Sequence, residues 1–541
     1  MTEKQRTAYW ERYTEWLTFI LPRLAIRDGS SRLTNESYTA LLISKGLLLR
    51  SAISLQDHIN HSDDEELKEM QDQIQYLKKK IHYWQNTNDI EAHQQIFNCQ
   101  VNLDRLQQRI LNGVKKYGFM PDLYINVDSV KKNLNDGDVA IEFIGLDRDL
   151  EASDTTIHVK DYVAFVLKSD YNNPHIVELC NSLSLSQNSS DLSYLYEAIW
   201  QPLDNELHGA KRIFFSLDGE LHKLPIEYSP IPSGKIISEV YQMYRLSSTR
   251  QLALVKKQKK RFNEITIFGN VDYYNSRGNL AIPVPVEALA KFETTKSIGK
   301  CKEKRGASKL ASQTFMDLTY SKQESYSVAS LCQKHNINTN LYEQDNASEE
   351  VFKDISGQSP QMLLLSTHGY FIPKEKEGTC QMNIPKDKEG AEELSLEDES
   401  LSRSGFVLAG ANQYLLGNKN SLGLEDGFVT ARELSRMNLD NTDLVVLSAC
   451  ETRLGEVSSE GVIGLQRGFK RAGVNSIIMS LWKVDDCSAA LFIEYFFNSY
   501  FKFKSKQKAM FEAIKQLRST DNRRWDDPKY WAAFILLDAL D

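Results

Sequence analysis

The chain has 541 residues, 41% of them apolar, more than a single hydrophobic core usually supports and enough for two to four. With 65 basic against 73 acidic residues and a formal charge of −8, nucleic-acid backbone is disfavoured as the main partner. No apolar run reaches the about 18 residues of a membrane span, the opening Met1-Thr2-Glu3-Lys4 lacks the order of a secretory signal, and seven scattered cysteines, never Cys-x-x-Cys, argue against a disulfide framework or zinc site and for a reducing cytoplasm.

Residues 1–132 read as helices. Leu67, Met70, Ile74, Leu77, Ile81 and Trp84 recur at three- and four-residue steps, and Ile96, Cys99, Leu103, Leu106 and Ile110 repeat the pattern after a polar break. Each stripe puts one apolar face on a helix, and the short break suits an antiparallel pair. Earlier, Trp10, Tyr13, Leu17 and Ile20 suggest another helix, followed beyond Asp28-Gly29-Ser30-Ser31 by an apolar run over 41–49. Such a region suits docking of an upstream activator or sensor protein; it equally suits a layer that only buries the flank of the next domain.

Residues 133–262 change to short β runs bounded by turns. Val139-Ala140-Ile141-Glu142-Phe143-Ile144, the run over 162–167, and Arg212-Ile213-Phe214-Phe215-Ser216-Leu217 alternate with a helix expected over 192–200. Strands interleaved with helices imply an α/β layer fold. His208 and His222 lie here without a cysteine at a comparable strand end, so this half reads as noncatalytic. A basic linker, Lys256-Lys257-Gln258-Lys259-Lys260-Arg261, closes it.

Residues 263–541 form the last unit. A strand is expected over 264–269, a helix over 321–334, a strand over 339–342, and a helix opened by Asn346 with Glu349 three residues on. Two segments then carry the chemistry: Leu363-Leu364-Leu365-Ser366-Thr367-His368-Gly369 and Leu444-Val445-Val446-Leu447-Ser448-Ala449-Cys450-Glu451. Continuous apolar runs suit central parallel strands covered on both faces. Reactive groups gather at the carboxyl ends of such strands, so His368 and Cys450 are expected on one rim, a base beside a thiol nucleophile.

The surrounding motifs resemble the CHAT domain: Ser404-Gly405-Phe406-Val407-Leu408-Ala409-Gly410-Ala411-Asn412, Asp426-Gly427-Phe428-Val429-Thr430-Ala431-Arg432-Glu433, and Leu447-Ser448-Ala449-Cys450-Glu451-Thr452-Arg453-Leu454-Gly455. So do the segments over 460–469 and 480–486 and the terminal Tyr530-Trp531-Ala532-Ala533-Phe534-Ile535-Leu536. The resemblance implies a caspase-like, separase-related cysteine peptidase, often preceded by tetratricopeptide helices, with residues 133–262 as a pseudo-protease half and 263–541 as the active half. It implies His368 as base and Cys450 as nucleophile of a Cys-His dyad, with the backbone N–H groups of Gly369 and Cys450 stabilising the oxyanion.

The 82 residues from His368 to Cys450 exceed the roughly 50 of caspases because of a charged insert over 374–403. The insert reads either as a lid or switch that is cut or ordered on activation, with Lys386, Lys388 and Arg403 as candidate self-cleavage points, or equally as plain disorder. Trp482 is expected to pack against a bound peptide. Asp485 and Asp486 either receive a basic side chain from the substrate or only open the following helix. Cys487 is expected to be a structural thiol. No phosphate loop, zinc motif or serine elbow appears, so no cofactor is expected. The activity implied is an endopeptidase acting on a protein substrate, in bacterial defence or regulated cell death; the alternative is a catalytically silent scaffold or interaction module.

Overall fold

An 11-stranded sheet, ordered β3-β2-β1-β4-β5-β16-β15-β12-β8-β6-β7, runs through the protein. This computed structural model describes residues 10, 12–46, 65–67, 69–70, 73–74, 76–77, 80, 92–116, 124–152, 155–189, 191–254, 262–285, 314–372, 400–417, 425–448, 456–458 and 461–540.

A π-helical turn over Trp16–Ile20 leads into α1 (Leu21–Asp28), and α2 (Ser31–Ser44) follows. Gly29 ends α1 in the left-handed conformation at φ 65, and Ser30 caps α2 by accepting from the Leu33 N–H. Further on, α3 (Ala92–Lys116) packs Leu106 and Ile110 against Leu67, Met70 and Ile74. Late residues of one stripe meet early residues of the other, so the two run antiparallel as their spacing requires. Leu77 packs between this cluster and Ile96 and Cys99, while Ile81, Trp84 and the polar break fall outside the described residues.

The first half supplies β1 (Asp138–Ala152), β2 (Thr155–Lys168), β3 (His175–Asn181), β4 (Arg212–Ser216) and β5 (Gln242–Leu246). β1 and β2 form a long antiparallel ladder, whereas β1, β4 and β5 are parallel. Trp200, Leu203 and Ile226 cover one face of this part of the sheet. Tyr38, Leu41 and Leu42 of α2 cover the other, with Val127 and Val130. The N-terminal helices therefore complete a core rather than standing apart from it.

The second half supplies β6 (Glu264–Val271), α4 (Ser321–Lys334), β7 (Asn338–Gln344), α5 (Glu349–Asp354) and β8 (Met362–Ser366). The start of α5 differs from expectation. Ser348 caps it by accepting from Val351 N–H, while Asn346 accepts from Ile282 N–H. A small sheet of β9 (Gly369–Phe371), β10 (Ser404–Val407) and β11 (Phe428–Thr430) follows. Then come β12 (Leu444–Leu447), the ribbon β13 (Glu456–Ser458) and β14 (Gly461–Ile463), α6 (Leu465–Arg471), β15 (Ser476–Ser480), α7 (Asp486–Phe503), α8 (Lys506–Ser519) and β16 (Phe534–Leu537).

β6, β7, β8, β12 and β15 are mutually parallel, and β16 is antiparallel to β15. α4, α7 and α8 bury one face under Phe492, Phe496, Phe497 and Leu517, while Phe406, Phe469 and Leu434 bury the other. The halves join where Leu537 of β16 pairs with Arg245 of β5. Because β16 is antiparallel to β15, the carboxyl rim of the first half faces the opposite edge of the sheet from that of the second.

Candidate active site

All five residues of β8 are buried, and Thr367 after them is buried too, so the strand end is fixed before His368 emerges. Thr367 donates to the Val407 carbonyl at 2.5 Å and pairs with the Tyr273 hydroxyl at 3.1 Å. His368 itself is partly exposed. Its ring lies between Tyr273 and Phe315, with centroids 5.3 and 5.4 Å away. Nε2 lies 2.7 Å from the carbonyl oxygen of Met316, an oxygen that can only accept. The proton therefore sits on Nε2, and Nδ1 is the basic nitrogen of the neutral ring.

The segment bearing Met316 is itself held in place. Asn412, fully buried, accepts from Phe315 N–H and donates to the Phe315 carbonyl, both at 2.8 Å, while its own N–H donates to Tyr273 at 2.7 Å. Both walls of the imidazole are thus held by one residue, the Phe315 wall through its side chain and the Tyr273 wall through its backbone N–H. Asn412 ends the Ser404–Asn412 motif without any pattern that marks this role, and Met316 acts through a backbone atom, for which its side chain is no signal.

Gly369 follows on β9. Val407 N–H donates to the His368 carbonyl, and the register sets Phe406 opposite Gly369. Pairs alternate along an antiparallel ladder, so Gly369 occupies a non-hydrogen-bonded position. Its N–H points off the free edge of β9, where an oxyanion could accept it.

β12 lies beside β8, with Leu447 opposite Leu365 and Ser448 N–H donating to the Leu365 carbonyl at 2.9 Å. The description reaches Ser448; Cys450 lies outside the described residues, as do Lys386 and Lys388. Arg403 is buried at the start of β10, away from protease access.

Beneath the two strand ends lies Glu324 of α4, 3% exposed. Ser448 donates to its carboxyl at 2.7 Å. Burial pushes its pKa up to about 8, with the Asp486 charge adding to the shift and hydrogen bonds from Ser448 and Ser366 opposing it. Sequence reading missed this acid, since a glutamate within a helix carries no distinctive pattern.

The two neighbouring aspartates separate in role. Asp485 is exposed and caps α7, its carboxylate accepting from Cys487 and Ser488 N–H at 3.1 Å. Asp486 is partly buried, accepts from the Thr319 N–H and lies in the field of His368. Burial raises its pKa first, the Asp485 charge raises it further, and His368 pulls it back. Trp482 packs between the two cores of this half and donates to the Lys529 carbonyl at 3.1 Å. Cys487 is disulfide-bonded, a correction to the structural thiol expected. Among the described residues no group of histidine, cysteine and carboxylate side chains is placed to hold a metal, and no helix is long and apolar enough to cross a membrane.

Tetratricopeptide repeat protein 28 of Homo sapiens is 31% identical over 114 residues, and that of Mus musculus 29% over the same length. Each match covers 21% of this chain, which spans only 4% of the length of these curated relatives. Among solved structures, the Arg-specific cysteine proteinase gingipain R aligns over 64% of this chain and 66% of its own, with 9% identity and a TM-score of 0.31. A Saccharomyces cerevisiae separase–securin complex aligns over 93% of this chain and 40% of its own, with 9% identity and a TM-score of 0.38. The CHAT domain itself matches residues 190–539, from just after β3 to the end of β16, and the chain belongs to the CHAT domain family.

Proposed function

We propose that this protein is a cysteine endopeptidase in which His368 and Cys450 form the catalytic dyad. The observation that carries this reading is the bond from His368 Nε2 to the Met316 carbonyl. It leaves Nδ1 as the base on the rim where β12 ends, three residues before Cys450. In the reaction proposed, Nδ1 takes the thiol proton and the thiolate adds to the peptide carbonyl. The oxyanion accepts from the N–H groups of Gly369 and Cys450. Collapse expels the amine, which receives the proton from the imidazolium, and water hydrolyses the thioester to release the acid and restore the thiol.

Asp486 is the proposed partner for a basic side chain preceding the cut. It lies in the field of His368 and is partly desolvated, whereas the Asp485 carboxylate is committed to the helix cap. Trp482 would form the apolar wall. The substrate is proposed to be a protein and the helical N-terminal region the contact for an upstream activator, in defence or cell-death signalling. A reducing cytoplasm, the compartment proposed, would keep the nucleophile as a thiol and would open the disulfide of Cys487.

The test is a peptide electrophile with a basic terminal residue, followed by mass mapping of the adduct. Labelling is expected at Cys450 and should fall at least a hundredfold in His368→Ala, the span expected of a lost general base. Equal labelling in the variant would refute the dyad, and no labelling by any such probe would favour the scaffold reading.

A further inference from the structure

The two halves repeat one arrangement of three adjacent parallel strands. In the second half the strand-end row runs from Gly269 to Ser366, with Ser448 beyond it on β12. In the first half the matching row is Glu142, Ser216 and Leu246. Counting two residues on along each strand, Asp218 stands where the second half has His368, and Ser248 where it has Cys450. The rim that would carry a dyad instead carries a carboxylate, hydroxyls and free carbonyls.

That rim is occupied. Lys45, the residue after α2, reaches it from the N-terminal region and is only 8% exposed. Its Nζ lies 2.7 Å from a carboxyl oxygen of Glu142, which is wholly buried. It also donates to the Phe143 carbonyl at 2.7 Å, the Ser216 hydroxyl at 3.1 Å, and the Leu217 and Ser216 carbonyls at 3.2 and 3.4 Å. The other oxygen of Glu142 accepts from Ser248 Oγ at 3.0 Å, Thr249 N–H at 2.6 Å and Thr249 Oγ1 at 2.7 Å. Every acceptor needed by one ammonium is supplied by this strand rim.

α2 is tied to the same turn twice more. Arg250 donates to the Leu42 carbonyl at 3.0 Å, and the Tyr38 hydroxyl pairs with Thr249 Oγ1 at 2.9 Å. His222, whose pKa burial and the charges of Lys45 and Arg245 push down to about 3, stays neutral beside the ammonium. Lys45 and Glu142 are therefore buried as a pair, and removing either leaves the other without its opposite charge.

We propose that the carboxyl rim of the first half is an ammonium-binding socket, built where the second half carries its dyad, which docks the N-terminal helices through Lys45. The site is independent of any catalytic role for the other rim. A plain packing contact would respond to shape; a socket responds to a primary ammonium.

The test uses the full chain and limited trypsin cleavage at Arg23, Arg27 and Arg32, exposed residues on the docked helices. Lys45→Ala should speed cleavage there at least tenfold. Millimolar n-butylammonium should restore most of the protection, n-butanol should not, and Glu142→Gln in the same background should abolish the rescue. Unchanged cleavage in Lys45→Ala, or equal rescue by the alcohol, overturns the proposal. If Lys45→Ala does not fold, the neutral pair Lys45→Met/Glu142→Gln decides: recovery of a folded chain supports the socket, and failure equal to that of Lys45→Met alone overturns it.

Discussion

Asn412 illustrates what one buried amide can hold. Two bonds from its side chain hold the segment of Phe315 and Met316, which supplies one aromatic wall of His368 and the carbonyl on Nε2, and its backbone N–H holds Tyr273, the other wall. Asn412→Ala would leave the Phe315 N–H and carbonyl without this partner in a buried place, costing about 2–4 kcal/mol. A misplacement of about 1 Å near a reacting group can cost about a hundredfold in rate. The expected result is a folded protein with a lowered melting temperature and Cys450 labelling reduced far more than stability alone explains. Labelling at the wild-type rate would show that His368 does not depend on this brace. At this scale the sequence was partly legible: a histidine ending an apolar strand announces itself, whereas the backbone oxygen that sets its tautomer belongs to a methionine 52 positions earlier.

At the scale of elements, α4 matched its expected bounds because a helix of that length has no competing signal, and β8 and β12 were legible as continuous apolar runs. The start of α5 was misread because two side chains, Asn346 and Ser348, can each cap a turn, and tertiary contact with Ile282 claimed the first. β1 continues to Ala152, well past its apolar run, because its partner β2 supplies a ladder that hydropathy does not encode. How α4 meets the strand ends was also hidden, and there Glu324 matters. Its pKa in the fold, about 8, lies above the usual glutamate value of about 4.3. Between these values the folded state binds more protons than the unfolded chain, so stability from this group is full below the lower value and is lost as pH rises toward 8. The slope approaches about 1.4 kcal/mol per pH unit for one group. Glu324→Gln should therefore gain stability relative to the native protein between pH 5 and pH 8, measured as paired denaturant midpoints. A constant difference across that range would mean that Glu324 is already ionised in the fold.

At the scale of the whole molecule, the basic linker near residue 262 separates two halves of the chain, and a single sheet runs through both. The joint is narrow in backbone terms, one strand pair at Leu537 and Arg245. Side chains widen it. Tyr228 and Ile236 from the first half enter the core of the second, and the Tyr228 hydroxyl donates to the Phe534 carbonyl at 2.8 Å. Arg245 makes a buried two-pronged bond to Glu227 at 2.9 and 2.6 Å and donates to the Leu224 carbonyl at 2.7 Å. A shared core of this kind makes the halves cooperative, because neither can unfold without exposing the apolar face of the other. Trp200 lies in the first half and Trp525 and Trp531 in the second, so tryptophan-to-phenylalanine variants give each half its own fluorescence signal. Both signals should change at one denaturant midpoint. Arg245→Met, which strands the buried Glu227 carboxylate at a cost of about 3–5 kcal/mol, should move both midpoints down together. If the Trp200 signal alone shifts while the Trp525 and Trp531 signals stay in place, the halves are independent domains, and the continuous sheet joins them without coupling their stability.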